Sequence, residues 1–374
     1  MKNIKDNSLD VLLIGFITIL LGIGLGFLYT ASQPVSDRFY GVPYHIVLKQ
    51  AIHMGVGLVF FIFAIFIDHT IYKKYIKLLV FITLILLVIT LIPGISKEIM
   101  GARRWLTVFG LSFQPSELAK LVVIIYLSSV LSNKEEYILD FYKGVFPPLC
   151  VLGVFLVFIF AGNDFSTTFL IIMCSFIIFY LAGVNIFTLG MMSLIGLLSS
   201  AIMIMLAPYR MKRLFAFINP WNDPLGSGWQ TIQAMKCFAL GKFFGVGLGE
   251  STQKNMALPE AHNDYIFAII AEEGGAVAAV FIVILFFGLA LIGLNISKRV
   301  ENKYSYLLAS GIIVMIFIQG IMNIGVVLGL LPATGITLPF ISSGGTSLIV
   351  YMFMIGVLLN ISLVNKKGLV NENR

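Results

Sequence analysis

Residues 265–295 read YIFAIIAEEGGAVAAVFIVILFFGLALIGLN, and Glu272-Glu273 carries the only charge in them. A helix needs about 20 apolar residues to cross the roughly 30 Å of hydrocarbon in a bilayer, and this run exceeds that length. Comparable runs recur at about 10–30, 49–67, 78–95, 115–131, 146–162, 165–182, 185–207, 305–330 and 345–364, which gives about ten spans. Composition agrees. Of 374 residues 59% are hydrophobic and 11% charged, and the mean hydropathy is +0.99. A soluble domain is about 45–50% apolar and about 25% charged, so no single core could hide this much apolar surface. The expected fold is an all-α integral membrane protein, one polytopic domain over residues 1–374. A large extracytoplasmic loop, about 208–264, separates the seventh and eighth spans.

The run from Val11 to Tyr29 is long enough to span and is followed by many more, so it reads as a retained helix rather than a signal peptide. With both termini cytoplasmic, Lys2, Lys5, Lys73, Lys74, Lys77, Lys134, Lys143, Lys298, Arg299, Lys303, Lys366, Lys367 and Arg374 fall inside. The short outer loops then hold Arg38, Lys97, Arg103 and Arg104, a bias that follows the positive-inside rule. The long loop carries six more basic residues, a charge suited to anionic ligands, and all three Trp lie on the same outer side. No internal repeat marks an inverted-repeat transporter. Cys150, Cys174 and Cys237 form no C-x-x-C pair and read as structural thiols; with four His, they do not suggest a metal centre.

Four outer segments combine charge, Gly and Pro where lipid discourages them. In Gly101-Ala102-Arg103-Arg104-Trp105 and Gln114-Pro115-Ser116-Glu117-Leu118-Ala119-Lys120, Pro115 suits a first helical turn. Gln114, Glu117 and Lys120 then share a face. Glu117 and Lys120 are either an i,i+3 ion pair or the lining of a cavity. In Asn163-Asp164-Phe165-Ser166, Asp164 is either an N-cap or a site residue. The long loop holds Tyr209-Arg210-Met211-Lys212-Arg213, then Asn219-Pro220-Trp221 through Gly228-Trp229-Gln230. Further on come Gly245-Val246-Gly247-Leu248-Gly249 and Leu258-Pro259-Glu260-Ala261-His262-Asn263-Asp264. The GxGxG run is a weak phosphate signal, because no strand precedes it. Asp264, at the mouth of a span with His262 two residues back, is either a helix cap or a carboxylate whose pKa partial desolvation raises toward general-base range. Leu338-Pro339-Phe340-Ile341-Ser342-Ser343-Gly344-Gly345 opens the last span, where Ser343 caps the helix or Gly-rich amides hold an anion. Gln319 and Asn323, one turn apart, are expected to hydrogen-bond between helices.

In this order, these segments resemble the SEDS family of bacterial cell-wall proteins over nearly the whole chain, most closely from Gly101 onward. The most specific stretches are Arg210 to Gln230, Leu258 to Asp264, and Asn323 through Ser342. Pro259-Glu260-Ala261-His262 is more similar to the division branch, FtsW, with the sporulation branch, SpoVE, close by, than to the elongation branch, RodA. The family commonly has Pro at position 163, Gly at 166, Tyr at 343 and Ser at 234, where this chain has Asn163, Ser166, Ser343 and Ala234. The resemblance implies a peptidoglycan glycosyltransferase that polymerises lipid II at the outer face of the cytoplasmic membrane, at the division septum. It also implies a class B penicillin-binding transpeptidase and other divisome proteins as partners, no nucleic acid, and Asp264 as the essential residue. Inverting transfer from a diphosphate-lipid donor needs a base, Asp264, and positive charge on the leaving group. Arg103, Arg210, Lys212, Arg213 and Lys120 are the candidates for that charge, with Glu117 aiming Lys120 and Asp164, His262 and Ser343 lining the substrate site. A divalent cation sharing the task stays open. The rival readings are a lipid II flippase and a non-enzymatic scaffold for the transpeptidase.

Overall fold

The computed structural model describes residues 2–99, 102–108, 111–205, 208–255 and 258–372. Gly101 and Arg374 lie outside them. Among the described residues thirteen α-helices are placed in chain order: α1 (Lys2–Tyr40), α2 (His45–Phe66), α3 (Thr70–Lys74), α4 (Ile76–Leu91), α5 (Pro115–Asn133), α6 (Phe146–Ala161), α7 (Phe165–Ala182), α8 (Ile186–Met205), α9 (Pro208–Ile218), α10 (Trp229–Gly241), α11 (Ile266–Lys298), α12 (Lys303–Val327) and α13 (Gly345–Glu372). Among the described residues eight helices are long and apolar enough to cross a membrane, and two shorter apolar helices, Ile76–Leu91 and Ile186–Ile202, accompany them. The chain is an integral membrane protein, because a backbone in hydrocarbon satisfies its polar groups within helices.

The inner and outer helices differ in what they bury. In α5, α12 and α13, 78% of the apolar window is buried, against 11% in α2. The first three form the centre, and side chains such as Phe60, Phe63 and Phe66 of α2 face outward to lipid. Close packing is bought by small residues. A Cβ on Gly356 of α13 would lie 2.5 Å from the Phe61 carbonyl of α2, and one on Gly288 of α11 would meet the Phe16 ring of α1 at 2.3 Å.

The structure departs from the sequence expectation in three places. The polar stretch before α5 is not a loop but a three-stranded antiparallel sheet, β1 (Lys97–Ile99), β2 (Ala102–Val108) and β3 (Leu111–Phe113), with Leu106 opposite Phe113. The fold is therefore mostly rather than wholly helical. Pro34 and Arg38, expected in a loop, belong to the last turns of α1. The long segment about 208–264 is also more ordered than a polar loop, since it carries α9 and α10. Helix α10 packs on α11, with Ile232, Ala234 and Cys237 buried.

Helix α11 explains that packing. It breaks at Gly275 (φ 72°, ψ −173°), which orphans main-chain groups on both sides. The loop after α10 supplies their partners. Val246 N–H donates to the Glu272 carbonyl (2.9 Å) and Gly247 N–H to that of Glu273 (3.1 Å). Ala276 and Val277 N–H donate in return to the Lys242 and Phe243 carbonyls. The glycine-rich run thus serves backbone-to-backbone contact rather than a phosphate. Gly245 sits at φ +80°, and a Cβ there would lie 2.1 Å from the Glu273 carbonyl oxygen. Gly245→Ala is expected to unclasp this loop, read as faster tryptic cleavage after Lys242 and Lys254 than in wild type.

Candidate active site around Asp264

Asp264 sits in the turns that lead into α11, on a seat tied from three directions. Asn323 Nδ2 of α12 donates to the Asp264 carbonyl (2.7 Å) and to that of Ile336 (2.6 Å). Ser343 N–H donates to the His262 carbonyl (3.0 Å). Glu260, at φ +55°, turns the chain so that its carbonyl accepts from Asn263 N–H (3.0 Å). The backbone of Asp264 is fixed, while its side chain is left available. Oδ1 is buried and has no hydrogen-bond partner, and Oδ2 faces Gly335, where an added Cβ would lie 3.7 Å away.

That environment sets the protonation. Burial pushes the Asp264 carboxyl up to about 7, the nearby Glu260 charge pushes the same way, and Arg213 opposes both. A carboxyl in this range is matched to accept a proton near neutral pH. His262 is moved the other way: burial lowers its imidazole pKa, and its Nδ1 is also enclosed without a partner.

Of the basic residues of α9, Arg213 approaches this seat. Arg213 Nη1 donates to the Ala333 carbonyl (3.0 Å), in the segment that carries Gly335. Arg210 lies over the Phe160 ring at 4.6 Å and the Phe165 ring at 5.4 Å. Lys212 is exposed. Because Arg213 lowers the Asp264 pKa, Arg213→Ala is expected to shift the acid limb of the activity profile to higher pH, measured as initial rate against pH.

A second node forms at Asp164, which caps α7. Its Oδ1 accepts from Thr167 N–H (3.3 Å) and Arg104 Nη1 (3.4 Å); its Oδ2 accepts from Gln114 Nε2 (3.0 Å) and Ser116 Oγ (2.8 Å). The cap reading holds, and the same carboxylate also gathers Arg104, Gln114 and Ser116 into a polar junction. Arg103 borders the small recess that Arg104, Ser116 and Asp164 share. Asn163 adopts φ 62°, which asparagine tolerates and a proline ring forbids. Ser166 Oγ donates to the Thr334 carbonyl, linking this node to the Gly335 segment.

Lys120 is fully enclosed rather than open to a cavity. Its ammonium pairs with Glu117 Oε2 at 2.7 Å and donates to Gln319 Oε1 (2.8 Å) and the Tyr351 hydroxyl (2.9 Å), so three polar groups hold it. The Tyr351 hydroxyl also donates to Gln319, and Gln319 Nε2 donates to the Thr337 carbonyl (3.0 Å). This network joins α5, α12, α13 and the loop below Gly335. Among the described residues no group of three or more His, Cys, Asp or Glu side chains could hold a metal ion.

The cell cycle protein family FtsW/RodA/SpoVE matches residues 11–367. The chain belongs to this family. Stage V sporulation protein E of Bacillus subtilis is 39% identical over 96% of this chain and 98% of its own. A probable peptidoglycan glycosyltransferase FtsW of Coxiella burnetii is 38% identical over 92% and 93%. Among solved structures, a chain of a peptidoglycan synthase complex that coordinates polymerization and crosslinking superposes with a TM-score of 0.77 at 25% identity, covering 94% of this chain and 97% of that one. The rod shape determining protein RodA of Thermus thermophilus gives 0.70 at 22% identity, covering 94% and 95%, a likeness of fold.

In this FtsW/RodA/SpoVE family member, sequence reading marked Glu272-Glu273 as charge inside a span but did not assign these buried carboxylates the role of holding the long segment in place. Glu272 accepts from Ser251 Oγ (2.5 Å), Thr252 N–H (2.9 Å) and Thr252 Oγ1 (3.0 Å). Glu273 Oε1 pairs with Lys254 Nζ at 3.3 Å. The signal was present: two carboxylates followed by Gly274-Gly275 inside an apolar run mark a broken helix with bound partners.

Proposed function

We propose that this chain is an inverting peptidoglycan glycosyltransferase that polymerises lipid II into glycan strands, with Asp264 as the general base. The observation that carries the reading is the Asp264 carboxyl itself: held by its backbone, half-buried, with Oδ1 enclosed and unpartnered and its pKa raised to about 7. In the reaction the carboxylate takes the proton of the acceptor's sugar hydroxyl as that oxygen bonds to the donor's anomeric carbon. The bond from that carbon to the diphosphate breaks with inversion. Arg213, with Arg210 and Lys212 on the same helix and Arg103 beyond the Asp164 node, supplies the positive charge that the departing diphosphate needs. Neutral His262 and Ser343 lie beside the base. Lys120 and Glu117 act by positioning, since the ammonium is enclosed and already held by Glu117, Gln319 and Tyr351.

The names of the relatives support this chemistry: several are peptidoglycan glycosyltransferases of the FtsW type, and one is a stage V sporulation protein. The synthase complex that matches in structure couples polymerization to crosslinking, which supports a penicillin-binding transpeptidase as partner. The charge pattern of the loops supports the cytoplasmic membrane with both termini inside and Asp264 on the outer side, and the FtsW-type relatives support the division septum.

The test is polymerisation of lipid II by the purified protein with its transpeptidase, with polymer length read on a gel. Strands from wild type and none from Asp264→Ala, in complexes of equal stability, are expected. Equal polymer from both removes Asp264 as the base. No polymer from either, in an intact complex, moves the reading to lipid II flipping or to a scaffold.

A further inference from the structure

At the end of the bundle opposite Asp264, a cavity of about 1010 Å³ opens between α4, α5 and α6. It is at the top of the range of about 300–1,000 Å³ usual for small-molecule sites. Its lining is divided along the membrane normal. Lys73, Lys74 and Lys77 stand at one end, with Ser129 and Asn133 beside them, whereas Val80, Phe81, Leu84 and Val151 line the part that runs along the helices toward mid-membrane. Among the described residues none of the three lysines is within salt-bridge distance of a carboxylate. Lys73 is held over the Tyr304 ring at 5.2 Å and reaches Ser132 Oγ at 3.4 Å, while Lys74 and Lys77 are exposed.

Three cations above an apolar groove, at the depth where lipid headgroups lie, fit one kind of molecule. We propose that this groove binds an anionic phospholipid of the cytoplasmic leaflet, its phosphate on Lys73, Lys74 and Lys77 and an acyl chain along Val80, Leu84 and Val151. Charge complementarity selects the headgroup, because juxtamembrane lysines attract anionic lipid and basic pockets between spans concentrate that attraction. The apolar wall selects a lipid over a soluble phosphate, since an acyl chain gains by covering Phe81 and Leu84. The assignment to the cytoplasmic leaflet rests on the orientation in the proposed function; the site itself does not, because its readout is retained lipid rather than glycosyl transfer.

The experiment reconstitutes the full chain in nanodiscs of equal parts phosphatidylcholine and phosphatidylglycerol and counts the lipids retained by native mass spectrometry. Wild type is expected to keep phosphatidylglycerol in preference. The triple change Lys73→Ala, Lys74→Ala, Lys77→Ala is expected to lose that preference by on the order of 100-fold, and the triple Lys→Arg variant to keep it. Leu84→Trp, which fills the groove and leaves every charge in place, is expected to expel the lipid. Retention unchanged in a folded Leu84→Trp protein would reduce the effect to surface charge and overturn the site. So would equal retention of both lipids by wild type, or displacement of the bound lipid by glycerol phosphate.

Discussion

Asp264→Asn leaves the protein folded and lowers polymerisation by at least about 10²–10⁴-fold, the usual contribution of a positioned general base. Asparagine keeps the shape and the main-chain carbonyl that Asn323 holds, so the seat survives and only the proton acceptor is lost. The wild-type rate is expected to rise with pH and level off above about 7, because the carboxyl must ionise before it can accept a proton. Stability runs the opposite way. Between the ordinary carboxylate pKa and about 7 the unfolded chain is ionised at this position while the folded one is not, so stability falls as pH rises through that window. Above it the folded protein carries a desolvated charge that Asp264→Asn removes. The variant is therefore expected to melt higher than wild type at pH above 7 while making no polymer. Unchanged polymerisation in a folded Asp264→Asn protein would end its role as base.

How much of this was legible beforehand depended on which solvent set the constraint. Hydrocarbon forbids unsatisfied backbone, so the apolar runs of α1, α2, α5, α7 and α11 to α13 could be read from residue order alone. Asp264, Glu117 and Asp164 stood out for the same reason, as charge where lipid resists it. What stayed hidden was whatever depends on pairing across the chain. Helix α10 is short and partly polar, and it is placed by the break at Gly275, whose orphaned main-chain groups only the 242–247 loop can satisfy. Sequence could not choose between Arg103 and Arg104 as the partner of Asp164, because the strand register of β2 makes that choice. Nor could it tell a lysine lining a cavity from one enclosed by Glu117, Gln319 and Tyr351. The two differ only in what α12 and α13 bring to the same point.

That enclosure makes the second large effect calculable. Lys120→Met removes one charge of a fully buried pair and leaves the Glu117 carboxylate, Gln319 and Tyr351 facing an apolar side chain. Breaking a buried ion pair on one side costs about 3–5 kcal/mol, a large part of the stability of a typical fold. A marked fall in melting temperature in detergent, with aggregation on size-exclusion chromatography, is expected. The paired change Glu117→Gln with Lys120→Met removes both charges, and it is expected to recover most of the loss, because two neutral groups of similar volume no longer demand solvation. The double variant then separates two roles that the single variant confounds. If the ion pair only ties α5 to α12 and α13, the refolded double variant regains polymerisation together with its melting temperature. If the ammonium opens toward the diphosphate during turnover, the double variant melts normally and stays inactive, and Lys120 returns to the set of residues that touch substrate. The ion pair and two hydrogen bonds already made by that ammonium favour the first outcome, since leaving them for the substrate would strip the Glu117 carboxylate, Gln319 and Tyr351 of their partner.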